Sequence, residues 1–223
     1  MNYPIEGLNH SYLGSSVYAL LREALITGRF KPDDKLRIRD LAQQLGTSVT
    51  PVRDAILQLA KERALVLKTP KDIRVPVLSK EQYLEIRSIR LALEGLAAET
   101  AAERATEEDL RALEDNINAN LQAIKTGDFV EAIKLNQAFH FALAEIAAMP
   151  VLLGFLDSLW MRTGPLIALA YHNFSEQIAI EHHWEVLAAL HKQDGLASRA
   201  AICTDICDGN DYLLAFIEGT ASN

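Results

Sequence analysis

The sequence is poor in cysteine, proline and glycine, and each shortage excludes a class of protein. Two cysteines in 223 residues are too few for the disulfide framework of a secreted scaffold. With 11 glycines and 7 prolines, the chain lacks the many turn residues of a β-sandwich. It also has no apolar run close to the roughly 18 residues of a membrane span. These absences favour a mostly helical globular protein that makes no membrane contact.

The first residues, MNYPIEGLNHSY, lack the basic and apolar regions of a secretory signal. We therefore expect a cytoplasmic protein in which Cys203 and Cys207 are reduced thiols. Apolar residues make up 49% of the chain and charged residues 23%, a balance typical of proteins that bury a sizeable core.

The net charge of −8 is unevenly distributed along the chain. Up to Leu78 there are 12 basic and 8 acidic residues, whereas the remainder has 10 basic and 22 acidic ones. A basic N-terminal part can approach nucleic acid although the whole protein is acidic. Pro76 and Ser79 mark the expected boundary, so we predict two domains, residues 1–78 and 79–223.

The first 78 residues contain three helical patterns followed by a hairpin pattern. Apolar residues recur at helical spacing in VYALLREALI, in IRDLAQQL and in TSVTPVRDAILQLAKERA. Gly46 ends the second pattern, and Ser48 or Thr50 can cap the third after a turn of about four residues. After Ala64, β-branched and polar residues alternate around a turn at Thr69–Lys71. This order predicts a winged helix-turn-helix with a two-stranded wing.

The rest of the chain contains no convincing strand, and its apolar residues follow a helical period. The expected helices are Lys80–Ala105, Glu107–Thr126, Asp128–Ala147, Pro150–Tyr171, Ser175–His191 and Gly195–Glu218. Thr106 and Ser175 are expected N-caps. The predicted fold class is therefore mostly α, with a winged helix-turn-helix followed by an all-α bundle.

The order and spacing of these motifs resemble the GntR transcription regulators, specifically the FadR-like branch with an FCD effector domain. The piece TPVRDAI carries the resemblance in the N-terminal part. The pieces EIRSIRLALEGLAAETAAERAT, NQAFHFALAEIAAMPVL and EHHWEVLAALHKQD carry it in the C-terminal part. The resemblance implies a homodimeric regulator, expected to be a repressor, that binds a double-stranded DNA operator and responds to a small organic acid.

The start of the third helix has the residue types that a recognition helix needs. Such a helix places its first side chains against base edges in the major groove, and Ser48, Thr50 and Arg53 cluster there. The resemblance implies that Arg39 and Arg53 read or frame bases, while Ser48 and Thr50 hold phosphates.

Two lysines of the hairpin, Lys68 and Lys71, are expected to reach the DNA backbone or minor groove. Val49 stands where the family usually has arginine, and it offers an apolar contact suited to a thymine methyl group. The operator sequence should differ accordingly. Asp33 and Pro70 replace two glycines that are common in the family, which changes the expected contact of the wing.

The resemblance also implies a metal site in the helical domain. Its predicted ligands are Asn136, His140, His183 and Asp205, where the family usually has one aspartate and three histidines. Asn136 and His140 are four residues apart and share one helix face. Fewer nitrogen ligands and less negative charge weaken a zinc-like preference and favour nickel, manganese or no tightly bound metal. We therefore expect any divalent ion, whether zinc, nickel or manganese, to be weakly held.

Arg90 matches an arginine that family members use for the carboxylate of the effector, although a salt bridge with a neighbouring acidic residue is the alternative. A metal-dependent enzyme in a helical bundle is the competing function. The sequence has no Glu-x-x-His pair, Gly-rich phosphate loop or Gly-x-Ser-x-Gly elbow, so we expect no enzymatic activity. A scaffold without DNA binding would leave the basic N-terminal part and TPVRDAI unexplained.

Overall fold

A computed structural model describes residues 11–171, 180–208 and 210–220. The N-terminal elements are α1 (Ser11–Ile26), β1 (Lys35–Leu36), α2 (Ile38–Gln44), α3 (Val49–Lys61), β2 (Val66–Thr69) and β3 (Asp72–Arg74). The helices that follow are α4 (Lys80–Arg104), α5 (Glu107–Thr126), α6 (Phe129–Ile146), α7 (Pro150–Tyr171), α8 (Glu181–His191), α9 (Gly195–Asp208) and α10 (Asn210–Thr220). The predicted fold class is confirmed, with a winged-helix part (α1–α3, β1–β3) and a helical part (α4–α10).

The helix-turn-helix forms where the periodicity predicts it. Gly46 has a φ of +62°, a conformation that suits glycine, and it lies in the turn between α2 and α3. The core-facing side of α3 carries four fully buried residues, Val52, Ala55, Ile56 and Leu59. Burial of this face holds the helix against α1 and leaves its other side exposed.

The sheet has three antiparallel strands in the order β1-β3-β2, one more than predicted. The predicted hairpin is β2 and β3, in which Val66 faces Arg74. Lys35 of β1 also faces Arg74, on the other side of β3. Two residues are too few to show an alternating pattern, so only the free edge of β3 reveals this strand.

Capping residues fix the starts of α4 and α5, the first two helices of the helical part. The hydroxyl groups of Ser79 and Thr106 each accept a hydrogen bond from the backbone three residues later, and both form capping boxes. The cap predicted at Thr106 is therefore confirmed. Among the described residues, no helix combines the length and the apolar character needed to cross a membrane.

Two of the expected helices are only partly described. The helix expected over Gly195–Glu218 appears as α9, which ends at Asp208, and α10, which begins at Asn210, and residue 209 between them lies outside the described residues. The helix expected from Ser175 appears as α8, which begins at Glu181, and Ser175 itself lies outside the described residues.

Helix α7 belongs to the cores of both parts of the molecule. Its buried residues Leu156 and Trp160 lie in the same hydrophobic cluster as α1 and α3. Arg22 Nε of α1 donates to Asp157 Oδ1 of α7 at 2.6 Å. At Gly164 of α7, a Cβ would lie 2.6 Å from the Cα of Ile26, so only glycine permits this approach of the two helices.

Candidate functional site

A basic groove of about 560 Å³ lies between α2, the start of α3 and the tip of the wing. Four of the predicted DNA-contacting residues line it, namely Arg39, Val49, Arg53 and Lys71. Two other cations there are already paired, since Lys35 lies 3.4 Å from Asp72 and Arg37 lies 3.9 Å from Asp40. By contrast, the exposed side chains of Arg39, Arg53 and Lys71 pair with no residue in the described ranges.

Ser48 and Thr50 lie at the start of α3, beside the basic groove, and both are exposed. Ser48 occupies the N-cap position, but its side chain makes no capping hydrogen bond. Lys68 lies elsewhere, because its side chain lines a separate cleft that also contains Arg63 and Arg162. The structure therefore places six of the seven predicted residues at or beside one groove and leaves Lys68 apart from them.

A second group of predicted residues meets inside the helical part. His140 of α6, His183 of α8 and Asp205 of α9 have potential ligand atoms within 4.8 Å of one another. The Nε2 atoms of His140 and His183 lie 3.1 Å and 3.5 Å from the two carboxylate oxygens of Asp205. Both imidazoles are fully buried. We call these residues, together with Glu94 and Arg90 of α4, the histidine cluster.

Glu94 links this group to Arg90. One carboxylate oxygen of Glu94 lies 2.5 Å from His140 Nδ1, and the other accepts a hydrogen bond from Arg90 Nε at 2.6 Å. The guanidinium of Arg90 also lies over the ring of the buried Trp160, 4.3 Å from its centroid. The result is a continuous buried chain of charges from Arg90 to Asp205.

The surrounding charges set the ionisation of the histidine cluster. Burial by itself raises the pKa of Glu94, but the charges of Arg90 and His140 outweigh burial and hold the pKa at about 2. Burial lowers the pKa of His140, but the carboxylates of Glu94 and Asp205 outweigh it and raise the pKa to about 9. At His183 burial dominates, and the pKa falls to about 4. At neutral pH His140 is thus a cation between two carboxylates, whereas His183 is neutral.

His183 has buried nitrogen atoms without hydrogen bonds. Neither Nδ1 nor Nε2 makes a hydrogen bond within the described residues, and the ring stacks on Phe139 at a centroid distance of 4.0 Å. A neutral imidazole beside a second imidazole and a carboxylate is a donor set that suits a divalent transition metal. The side chains of His140, His183 and Asp205 therefore fit such an ion.

Residues 13–75 match the family model described as "Bacterial regulatory proteins, gntR family", and residues 85–206 match the FCD domain. The HTH-type transcriptional regulator McbR of Escherichia coli (strain K12) is 34% identical over 190 residues, which cover 84% of this chain and 86% of McbR. The chain belongs to the GntR family and carries an FCD domain. Regulators of this family bind DNA operators.

The solved structure of E. coli McbR/YncC superimposes on this GntR-family regulator with a TM-score of 0.83 at 32% identity, covering 90% of this chain and 96% of that one. The HTH-type transcriptional repressor RspR of E. coli (strain K12) is 24% identical over 191 residues, covering 85% of this chain and 84% of RspR. The matched families and relatives are transcriptional regulators and not enzymes, which decides against the alternative of a metal-dependent enzyme.

Sequence reasoning missed one member of the histidine cluster, Glu94. The signal was present, because Glu94 lies four residues after Arg90 on the same helix face. Arg90 was expected to bind the effector carboxylate, with a salt bridge to a neighbouring acidic residue as the alternative. In this structure its Nε forms that salt bridge, with Glu94. Asn136, the fourth predicted ligand, is buried one helical turn before His140 on α6.

Proposed function

We propose that this GntR-family regulator is a homodimeric, metabolite-responsive repressor whose helical domain binds a small carboxylate effector beside a divalent metal ion. The observation that carries the proposal is the meeting of His140, His183 and Asp205 from three helices at one buried point. We also propose that the domain boundary lies between Leu78 and Ser79. The relative RspR, which is named a repressor, supports the direction of regulation.

In this proposal the metal ion displaces the Nε2 proton of His140 and is held by that nitrogen, His183 Nε2 and Asp205, with Asn136 as a fourth, uncharged ligand. Glu94, on Nδ1 of His140, orients that imidazole, as carboxylates commonly do for metal-bound histidines. Zinc, nickel and manganese are the candidate ions. When bound, the ion supplies a positive charge that anchors the carboxylate or hydroxyl group of the effector, and Arg90 lies on the other side of the cluster.

DNA recognition is assigned to the basic groove. Arg39 and Arg53 contact bases, Val49 contacts a thymine methyl group, and Ser48 and Thr50 hold phosphates. One recognition helix makes too small an interface for tight specific binding. Two copies of the chain on two-fold related half-sites provide the second helix.

Helix α7 supports a connection between the two sites. Trp160 lies beneath Arg90 of the histidine cluster, and three residues earlier Asp157 pairs with Arg22 of α1. Gly164 brings the same helix against the backbone of Ile26. A ligand that shifts Trp160 therefore also shifts the packing of α1 against α7, and with it the position of α3. Effector binding and operator binding are then energetically coupled.

The metal assignment is tested by elemental analysis and metal titration of the purified protein. We expect weak binding to the wild type, loss of metal in His183→Ala, and roughly tenfold tighter binding in Asn136→Asp because a charged ligand replaces a neutral one. His191→Ala is the matched control, since His191 is exposed at the end of α8. Full metal content in His183→Ala, or no gain in Asn136→Asp, contradicts the assignment.

Operator and effector are tested together. Gel shifts with DNA flanking the gene should show specific binding, and a thermal-shift screen of hydroxy, sugar and fatty acids should identify an acid that stabilises the metal-loaded protein. That acid should release the operator from the wild type and act much more weakly on His183→Ala. An acid that binds both proteins equally places the effector outside the histidine cluster.

A further inference from the structure

A cleft of about 470 Å³ lies at the junction of the winged-helix and helical parts, and we call it the junction cleft. It is lined by the connector residues Val75 and Leu78, by Arg63 and Lys68 of the winged-helix part, and by Arg162 of α7. Its volume lies within the range of small-molecule sites. None of its lining residues belongs to the basic groove or to the histidine cluster.

Three cations of the junction cleft make no direct ion pair. In the part of the chain that the structure describes, no hydrogen bond or ion pair involves the side chains of Arg63, Lys68 or Arg162. Arg74, which also lines the cleft, is already bound to Asp33 at 2.9 Å and to Asp72. Cations without a direct ion pair that gather in one concavity attract an anion locally.

The two arginines repel each other across the domain junction. Arg162 is half-buried, and burial together with the charge of Arg63 lowers its pKa, while Glu85 of α4 opposes this effect. Arg63 belongs to the winged-helix part and Arg162 to the helical part, so this repulsion acts between the two parts of the molecule. An anion between them would remove the repulsion and contact both parts at once.

The position of the cleft argues against a contact with the operator. Arg63 lies just beyond the C-terminal end of α3, whereas the operator is assigned to its N-terminal end at Val49. The 13 residues of α3 place these ends about 20 Å apart at 1.5 Å per residue. A small ligand therefore suits the cleft better than the DNA backbone does.

We propose that the junction cleft is a second ligand site, in which Arg63 and Arg162 clamp a small organic anion with more than one carboxylate or phosphate group. Guanidinium groups form paired hydrogen bonds to both kinds of anion. The apolar side chains of Val66 and Val77, which line the cleft and are exposed, are available to the carbon skeleton of the ligand. Its binding holds the two parts in one relative orientation and is independent of the metal and effector at the histidine cluster.

The test measures binding of citrate and of pyrophosphate by calorimetry at constant ionic strength, on full-length protein in chloride buffer. Arg162→Gln and Arg63→Gln should each weaken binding of the preferred probe about tenfold, the value of one lost charge-assisted contact. Arg111→Gln removes an exposed arginine from α5 and should leave the affinity unchanged. The two probes distinguish a carboxylate from a phosphate ligand.

Three outcomes overturn the proposal. The first is that the wild type binds neither probe at millimolar concentration. The second is that Arg111→Gln loses as much affinity as Arg162→Gln, because binding would then depend only on net charge. The third is that Arg162→Gln lowers the salt dependence of operator binding, which would make the cleft a DNA contact. If Arg162→Gln fails to fold by circular dichroism, the exposed Arg63→Gln decides the test.

Discussion

The basic groove and the histidine cluster differ in the exposure and pairing of their charged side chains. In the groove, Arg53 and Lys71 are exposed and pair with no described residue. In the cluster, the charged side chains of Glu94 and His140 are buried and satisfy each other. Exposed charges cost the fold little and remain available to a polyanion, whereas buried charges must be compensated before any ligand arrives.

This difference predicts two separate phenotypes. A substitution in the groove should change operator affinity and leave the free energy of unfolding nearly constant. A substitution in the cluster should change the free energy of unfolding first. Measuring both quantities for each variant therefore tests whether the two sites differ in this way.

The largest effect is expected for Glu94→Ala. Removing this carboxylate leaves the buried cation Arg90 without its ion pair and His140 with Asp205 alone, which should lower the free energy of unfolding by about 3–5 kcal/mol. Urea denaturation measures the loss. Glu99→Ala on the same helix is the control, since its pair with Arg199 is exposed and contributes about 0–1 kcal/mol. Equal losses in both variants would refute the distinction between buried and exposed charges.

Arg53→Ala should show the opposite behaviour. Loss of a base contact is expected to weaken operator binding about 10- to 100-fold per half-site. The free energy of unfolding should stay within about 0.5 kcal/mol of the wild type, because Arg53 is exposed. Quantitative gel shifts and denaturation check the two values. Lys61→Ala, at the other end of α3, should leave operator affinity almost unchanged, and a variant Arg53→Ala that binds normally would remove Arg53 from the interface.

Gly164→Ala tests the junction between the two regions. Its new Cβ meets the backbone of Ile26, so we expect α1 and α7 to separate and the free energy of unfolding to fall by about 1–3 kcal/mol. Gly154→Ala in the same helix has no atom within 4 Å of the new Cβ and should be neutral or stabilising. Thermal denaturation compares the two. If both alanines are tolerated equally, the close approach of α1 and α7 does not hold in solution.

The smallest expected effect separates two lysines of the wing. Lys71 lines the basic groove, whereas Lys68 lines the junction cleft. Lys71→Gln should therefore reduce the slope of log affinity against log salt by about 1 per protomer, and Lys68→Gln should leave the slope unchanged. Operator binding measured over a range of salt concentrations gives both slopes. Equal slopes for the two variants would show that Lys68 contacts the operator, as predicted from the sequence.

Local patterns predicted the winged-helix part almost completely. The buried face of α3 and the hairpin of β2 and β3 follow from periods of 3.6 and 2 residues. Strand β1 escaped prediction because it is two residues long and exists only as a partner of β3. In the helical part, the caps at Ser79 and Thr106 are local signals as well.

The fold class, the family and the residue types at the start of α3 could be predicted from the sequence, because helix periodicity, capping and motif spacing are local properties. Which helix faces meet depends on tertiary packing. Glu94 and His140 are 46 residues apart and touch because α4 packs against α6. Asp205 reaches both imidazoles only through the packing of α8 and α9. No local pattern encodes these contacts, since the burial of apolar faces between helices, and not the period within one helix, sets their register.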